Sequence, residues 1–257
     1  MIVARLVHVL SLLGVITVPV FGWFVKDWAG GTTLAVYWFE TVAASLFICA
    51  RIVFQSRWAP RRGHFAYNAP SAGRRGSKSS SFLAGFAIVS FAFSAAHAVF
   101  LAAILLLLHH NGKGDLAGVD WRSVGFGCLS VLAFLALDFV VDLFTLRQWS
   151  FRQLEQLADR GLSRVIVVHL TLIIGFVGIA VTGAPDALFG VFVVLKTLAA
   201  LNAVVPQWEP ATAPQWLSRI MNRVPNVHPG ERFEDFWTED RTEELERRDR
   251  NEAPWKR

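Results

Sequence analysis

The sequence predicts an all-α integral membrane protein: a bundle of about six transmembrane helices with both termini in the cytoplasm and a charged cytoplasmic tail. Hydrophobic residues make up 54% of the 257 residues and charged residues only 18%, too little charge to cover a soluble domain of this length. The charges gather in short stretches, and the apolar runs between them approach the roughly 20 residues that a helix needs to cross about 30 Å of hydrocarbon. Arginine and lysine also concentrate in alternate loops, as in multi-pass membrane proteins.

Six apolar segments are candidates for membrane spans. In chain order they are Ile2 to Phe24, Gly31 to Phe54, Phe82 to Leu108, Val124 to Leu146, Val165 to Val181, and Ala187 to Val205. The first segment is too long for a signal peptide and no small-residue cleavage site follows it, so it is predicted to remain as a span. If the fifth segment extends to Thr182, only residues 183–186 separate the last two segments, which are therefore expected to form a tight helical hairpin.

The orientation follows from the basic residues in the loops. The stretch 51–81 contains no acid and seven basic residues: Arg51, Arg57, Arg61, Arg62, Arg74, Arg75 and Lys78. The loop after the fourth segment adds Arg147, Arg152, Arg160 and Arg164, whereas the opposite side holds only Lys26, Lys113 and Arg122. Because basic loops stay in the cytoplasm, both termini are predicted to be cytoplasmic, in a multi-pass protein of the cell membrane.

Two domains are expected, a transmembrane domain over 1–205 and a cytoplasmic tail over 206–257. Within the first, the basic loop 55–81 is rich in Arg, Gly and Ser and is expected to be flexible. Five of its arginines could contact anionic lipid headgroups or phosphate: Arg57, Arg61, Arg62, Arg74 and Arg75. The alternative is that the loop only sets the topology.

The tail is predicted to contain a short amphipathic helix and a charged segment. The apolar residues that recur at helical spacing beside Arg219 and Arg223 are Trp216, Leu217, Ile220, Met221 and Val224. That pattern is typical of a helix lying at a membrane surface. From Glu231 to Arg250 acids and bases alternate, which indicates a solvated helix or disorder and a possible docking element for a cytoplasmic protein partner.

Ionisable side chains at membrane depth cost about 2.5–3.5 kcal/mol each on insertion scales, so each needs a partner or a purpose. The candidates are His8, Glu40, His97, Asp138, Asp142, His169 and Lys196. Their heights, estimated at about 1.5 Å per residue from the helix ends, match across the helices. All except His8 are predicted to form one intramembrane polar cluster. For His8 and His169, near the headgroups, structural hydrogen bonds are expected.

Asp138 and Asp142 are four residues apart and therefore share one face of a helix. Two ionised carboxylates would repel each other in a low dielectric, so at least one should be protonated or paired with a cation. Lys196 is the cation predicted deepest in the interior, with Glu40 or Asp138 as its partner. Two interpretations stay open: an ion pair that fixes helix packing, or a relay for protons or substrate through Glu40, His97, Lys196 and Asp138.

Motif searching favours no enzyme class, cofactor or metal. No nucleophile elbow, phosphate-binding lysine loop or dinucleotide-binding glycine turn occurs. His8 and His169 could ligate haem only if their helices were neighbours, and no helix carries a ligand pair on one face. Cys49 and Cys128 lie in apolar runs and are expected to be inert thiols. The net charge of +5 is explained by the basic residues of cytoplasmic loops, so no nucleic-acid partner is expected. The expected partner is the lipid bilayer.

Five short motifs resemble a bacterial integral membrane family catalogued as domain of unknown function 6498. They are Tyr37-Trp38-Phe39-Glu40-Thr41, Arg61-Arg62-Gly63-His64-Phe65, Ala96-His97-Ala98-Val99-Phe100, Arg164-Val165-Ile166-Val167-Val168-His169, and Leu195-Lys196-Thr197. The resemblance implies no reaction, but its motifs contain Glu40, His97, His169 and Lys196. Thr41 stands where the family is expected to show Asn, and the fourth segment has Asp138 and Asp142 in place of the family's His-Gly element.

Three functions are consistent with these features. The first is a small-solute or proton-linked carrier built around the polar cluster. The second is a non-catalytic scaffold or accessory subunit whose tail and basic loop recruit a cytoplasmic partner. The third is a membrane-embedded enzyme acting on lipid or isoprenoid, which ranks behind the others because no catalytic motif is present.

Overall fold

The computed structural model describes residues 2–70, 81–110, 112, 114–163, 166, 194, 197–198, 210–224, 230 and 232–255. Within these ranges the chain is all-α, and isolated bridges such as the antiparallel one between Arg61 and Pro254 take the place of strands. The coarse fold class predicted from the sequence is therefore observed wherever the chain is described.

The helices are numbered along the chain. They are α1 (Ile2–Val25), α2 (Gly30–Trp58), α3 (Arg62–Phe65), α4 (Phe82–His110), α5 (Gly114–Ala117), α6 (Trp121–Leu143), α7 (151–163), α8 (Gln215–Met221) and α9 (Phe233–Glu252), with a 3₁₀ turn at Leu146–Gln148 before α7.

Four helices are long and apolar enough to cross a membrane: Leu6–Val25 of α1 and the whole of α2, α4 and α6. They correspond to the first four predicted segments. The fifth and sixth predicted segments, Val165 to Val181 and Ala187 to Val205, lie outside the described residues apart from 166, 194 and 197–198. Large apolar side chains face outward on these helices, among them Ile88, Val99 and Phe126, as lipid-facing helices require.

Several predicted helix ends were wrong by about one turn. Helix α2 continues to Trp58 rather than Phe54, because Gln55 is buried and donates from Nε2 to the Trp149 carbonyl at 3.0 Å. Helix α6 begins at Trp121 rather than Val124, since the Asp120 side chain accepts from the backbone N–H of Arg122 and caps the helix. It ends at Leu143, and Leu146, which is buried, begins the 3₁₀ turn instead.

The hydrogen bonds of the Asp120 cap also make its carboxyl more acidic. Hydrogen bonds from the Ser123 hydroxyl and then from the Arg122 N–H lower the pKa of the Asp120 carboxyl. An ionised carboxylate at this position interacts favourably with the positive end of the helix dipole.

The chain divides into two compact units, Met1–Ala59 with Leu83–Val205, and Pro60–Phe82 with Pro206–Arg257. In the first unit α6 packs against both α1 and α2, around a small core of Val15, Val36 and Val131. Glycines permit the close approach: a Cβ at Gly14 would meet the ring of Phe134, and one at Gly127 would meet Val36. Small residues play this part wherever membrane helices pack.

The second unit joins the first part of the basic loop to the tail. Backbone bonds run from Arg62 N–H to the Ala253 carbonyl (2.7 Å) and from Trp255 N–H to the Pro60 carbonyl (3.3 Å), and the rings of Phe65 and Trp255 lie 5.0 Å apart. The expectation that the whole loop is flexible was therefore wrong for residues 60–70, because the tail supplies partners for their backbone.

Candidate functional site: a four-residue ionised cluster

Four ionisable side chains from three helices meet inside the first unit. They are His8 of α1, Arg51 of α2, and Asp138 and Asp142 of α6, hereafter the four-residue cluster. Arg51 lies at its centre: its Nη2 is 2.7 Å from Asp138 Oδ2 and 2.6 Å from Asp142 Oδ2. Its Nε also donates to Asp142 Oδ2 at 2.7 Å. One guanidinium thus bridges both carboxylates.

His8 closes the cluster from the other side. Its Nδ1 is 2.7 Å from Asp138 Oδ1 and its Nε2 is 3.4 Å from Asp142 Oδ1. Both ring nitrogens therefore face carboxylate oxygens. A neutral imidazole has one donor and one acceptor nitrogen, whereas the protonated ring has two donors. Only the protonated ring can donate to both partners.

The local sequence explains how each group reaches the site. Asp138 and Asp142 are one helical turn apart on α6 and point to the same side. Arg51 belongs to α2 and its guanidinium also lies over the Phe139 ring, 5.2 Å from the ring centroid. Phe47 and Phe54, one turn before and one turn after Arg51, pack on that same ring at 5.3 and 6.0 Å. Aromatic packing thus positions the cation between α2 and α6.

The charge of the cluster depends on a single proton. Two carboxylates and one guanidinium leave a formal charge of −1, and a proton on His8 makes the cluster neutral. In a low-dielectric interior, a net charge is far more costly than a neutral hydrogen-bonded group. A neutral cluster therefore requires one proton in addition to the Arg51 charge, on the His8 ring or on one of the two carboxylates.

The four side chains of the cluster differ in how much of their surface is exposed. The side chains of Arg51 and Asp142 are only 4% and 5% exposed, whereas those of His8 and Asp138 are 36% and 29% exposed. The buried half, Arg51 and Asp142, joins α2 to α6, and the more exposed half consists of His8 and Asp138.

Residues 3–215 match the family of unknown function DUF6498. The chain belongs to this family. The resemblance expected from the five motifs is thereby confirmed, and the matched range contains the whole four-residue cluster. No curated protein and no solved structure matches the chain.

Among the described members of the predicted polar cluster of this DUF6498 protein, Glu40 lies at a different level from Asp138 and Asp142. Asp138 and Asp142 come together in the cluster. Glu40 is buried on α2, but it precedes Arg51 by eleven residues, which places it about 16 Å away along the helix axis. His97 is buried on α4. His169 and Lys196 lie outside the described residues.

Arg51 is the residue that sequence analysis of this DUF6498 protein misplaced. Counting it with the basic loop was wrong, because it is a buried residue of α2 with seven more helical residues after it. Its neighbours in the sequence carry the clue: apolar residues continue on both sides, through Ile48 before it and Phe54 after it. A basic residue inside an apolar run indicates an interior partner.

The arginines predicted to contact lipid or phosphate are also placed differently from one another. Arg57 and Arg62 are exposed. Arg61 forms an ion pair with Glu252, Nε to Oε1 at 3.4 Å, so its charge is partly satisfied within the second unit. Arg74 and Arg75 lie outside the described residues.

Three side chains of the cluster are also candidate metal ligands, because His8, Asp138 and Asp142 each place a potential ligand atom within 4.8 Å of the others. Histidine and carboxylate ligands suit several divalent metals. Here, however, the Arg51 guanidinium already occupies an oxygen of each carboxylate. A dication would have to bind beside a fixed cation, so the residues fit a proton better than a metal.

Proposed function

We propose that this DUF6498 protein is a proton-linked carrier for a small solute, in which the four-residue cluster binds the coupled proton. The observation that carries the proposal is the His8 ring, whose two nitrogens face two carboxylates at the more exposed edge of a charge network whose other edge is buried. A titratable ring in that position can exchange its proton while the Arg51 pair holds the rest of the site together.

The topology proposed with it is six spans in the cell membrane, with both termini in the cytoplasm. Four apolar helices support the membrane assignment. Two further apolar segments in the sequence and the concentration of arginine in alternate loops support the even number of spans and the orientation.

The cluster supplies a physical reason for coupling. With His8 protonated, α1 is joined to α6 by a hydrogen bond from Nδ1 to Asp138 and by an ion pair between Nε2 and Asp142 at 3.4 Å. Loss of the proton leaves a ring-nitrogen lone pair facing a carboxylate oxygen, which is repulsive, and restores a net negative charge. The deprotonated state therefore favours a different arrangement of α1 against α6, and a solute that prefers one arrangement becomes linked to the proton.

The test is solute-driven proton movement in proteoliposomes that contain a pH-sensitive dye. Solutes are added one chemical class at a time without an imposed pH gradient, and a coupled solute changes the internal pH. The response is expected to disappear in His8→Gln and to be strongly reduced in Asp138→Asn. Ser11→Ala, a buried polar change on α1 close to His8, is the matched control and should retain it.

Two outcomes would contradict the carrier. Solute uptake with no proton movement would exclude the proton linkage, and equal responses from the unaltered chain and His8→Gln would exclude the cluster as its site. Thermal unfolding of each variant in the same lipid distinguishes loss of transport from loss of folding.

A second function, a scaffold or accessory subunit, is favoured by one feature. The tail forms a compact unit with residues 60–70, and α9 there is dense in exposed charge, including Glu239, Asp240 and Glu243. Such a surface is suited to a cytoplasmic protein partner. Recovery of one defined partner that is lost on deletion from Trp208 onward, together with transport that never appears for any solute, would favour this function over the carrier.

A further inference from the structure

Helix α8 presents its apolar side outward. Its opposite face belongs to the second unit: Ser218 is buried, and Asn222, one turn later, accepts from the Phe233 N–H at 2.8 Å and donates to Glu234 Oε2 at 3.1 Å. These bonds fix how α8 is rotated about its own axis relative to the start of α9.

The exposed face follows from that rotation. Trp216 and Ile220 are four residues apart on α8 and lie about 200° around the helix from Ser218, and Val224 follows three residues after the end of the helix. Their exposed fractions are 59%, 54% and 54%. From sequence alone this apolar stripe could equally have been the side that packs on the tail. The structure assigns it to the outside.

The charges beside the stripe are of one sign. Arg219 and Arg223 are both exposed and each directly precedes a member of the stripe. No acidic residue occurs between Gln215 and Val224. An apolar stripe flanked by arginines is complementary to a lipid surface with anionic headgroups, since acyl chains accept the stripe and phosphates accept the guanidinium groups.

We propose that α8 lies on the cytoplasmic surface of the bilayer, with Ile220 and Val224 at the level of the upper acyl chains and Arg219 and Arg223 on anionic lipid phosphates. The linker supports a lipid surface over a protein groove. Only residues 206–214 separate the last predicted span from α8, and nine residues reach about 30 Å at most. The linker therefore limits how far α8 can lie from the end of the last predicted span.

The experiment uses the full chain in nanodiscs of phosphatidylcholine mixed with phosphatidylglycerol. Both native cysteines, Cys49 and Cys128, are replaced by alanine, and a nitroxide is attached at Ile220→Cys. Relaxation by oxygen, which concentrates in lipid, is compared with relaxation by a water-soluble nickel chelate. The matched control places the label at Glu239→Cys, an exposed position on α9.

The Ile220 label is expected to show a several-fold higher ratio of oxygen to nickel relaxation than the Glu239 label. The ratio should fall toward the control in pure phosphatidylcholine and in the double variant Arg219→Glu with Arg223→Glu. A ratio equal to that of Glu239 in both lipids would show that the face is in water and overturn the proposal. Shielding from both reagents would show that protein covers it, which overturns the proposal equally. Neither outcome depends on whether the four-residue cluster binds a proton.

Discussion

The four-residue cluster and the contact between Asn68 and Asn251 hold distant parts of the chain together by different means. In the cluster, one arginine and one histidine bridge two carboxylates within apolar helices. In the second unit, Asn251 Oδ1 accepts from both the N–H and the side-chain amide of Asn68, and its own amide donates to the Asn68 carbonyl. The first contact is charged and the second is neutral.

The difference shows what each setting demands. Lipid provides no hydrophobic drive between helices, so a few strong polar contacts can decide how spans pack. The removal of one charge in such a contact is costly in free energy, because it leaves an uncompensated ion in a low dielectric. Breaking a neutral amide pair costs less free energy, because each unsatisfied group loses only its own hydrogen bonds. Four variants are chosen to test this contrast, in order of expected effect.

The largest effect is expected for Arg51→Met. Removing the guanidinium leaves the buried Asp142 carboxylate facing the partly exposed Asp138 carboxylate, and breaking a buried pair in this way costs about 3–5 kcal/mol. The measurement is unfolding of the reconstituted protein, with Arg57→Met, an exposed site on the same helix, as the control. Adding Asp138→Asn and Asp142→Asn to Arg51→Met should recover much of the loss. Equal damage from Arg57→Met would contradict a buried charge network.

The second variant concerns acid sensitivity at His64. Burial, opposed in part by hydrogen bonding to the Arg61 backbone, lowers the pKa of His64 to about 4, and its Nδ1 accepts from the Arg61 N–H at 3.0 Å. A histidine pKa lower in the folded than in the unfolded state gives stability that is complete above about pH 6.5 and declines as the pH falls toward 4. The loss is on the order of 3 kcal/mol across that window.

Hydrogen exchange of residues 60–70, corrected for the intrinsic pH dependence, measures this effect. His64→Gln should lower protection at neutral pH and flatten its dependence on pH over the same window. If protection in the unaltered chain were constant between about pH 6.5 and 4, the buried neutral histidine would be excluded.

A smaller effect is expected for Asn251→Ala. The change leaves the Asn68 N–H without this partner, at about 1–3 kcal/mol for the unsatisfied group, whereas the Asn68 carbonyl still accepts from Arg247 Nη1 at 2.8 Å. Proteolysis of the tail in the full-length protein reports the loss, with Arg250→Ala as the neighbouring exposed control. Unchanged cleavage would mean that the amide pair contributes nothing to docking of the tail.

The smallest effect tests packing without any charge. At Gly127 a Cβ would meet Val36 and Trp28, whereas at Gly125, two residues earlier, nothing lies within 4 Å. Gly127→Ala should therefore destabilise by about 1–3 kcal/mol, and Gly125→Ala should be neutral or stabilising by up to about 1 kcal/mol through helix propensity. The measurement is thermal unfolding of the two variants side by side. A Gly125→Ala variant less stable than Gly127→Ala would contradict the α2–α6 contact.

The sequence indicated the features that are local. Apolar length predicted the four described spans, and the spacing of Asp138 and Asp142 predicted a shared face in need of a cation. The cation could not be identified in this way, because Arg51 is 87 residues from Asp138 in the chain and counting loop charges treats every basic residue near a helix end alike. Likewise, no periodicity connects Asn68 with Asn251, which are 183 residues apart.

The position of Arg51 also has a consequence for biogenesis. Helix α2 is the least hydrophobic of the four described spans, and it leaves the ribosome long before the carboxylates of α6 are synthesised. Its arginine must therefore enter the lipid unaccompanied or wait at the membrane edge until α6 arrives. We expect a chain truncated before Trp121 to integrate α2 less efficiently than the complete chain, which a glycosylation-tag insertion assay would detect. Equal integration would mean that the translocation machinery tolerates the lone arginine without help from α6.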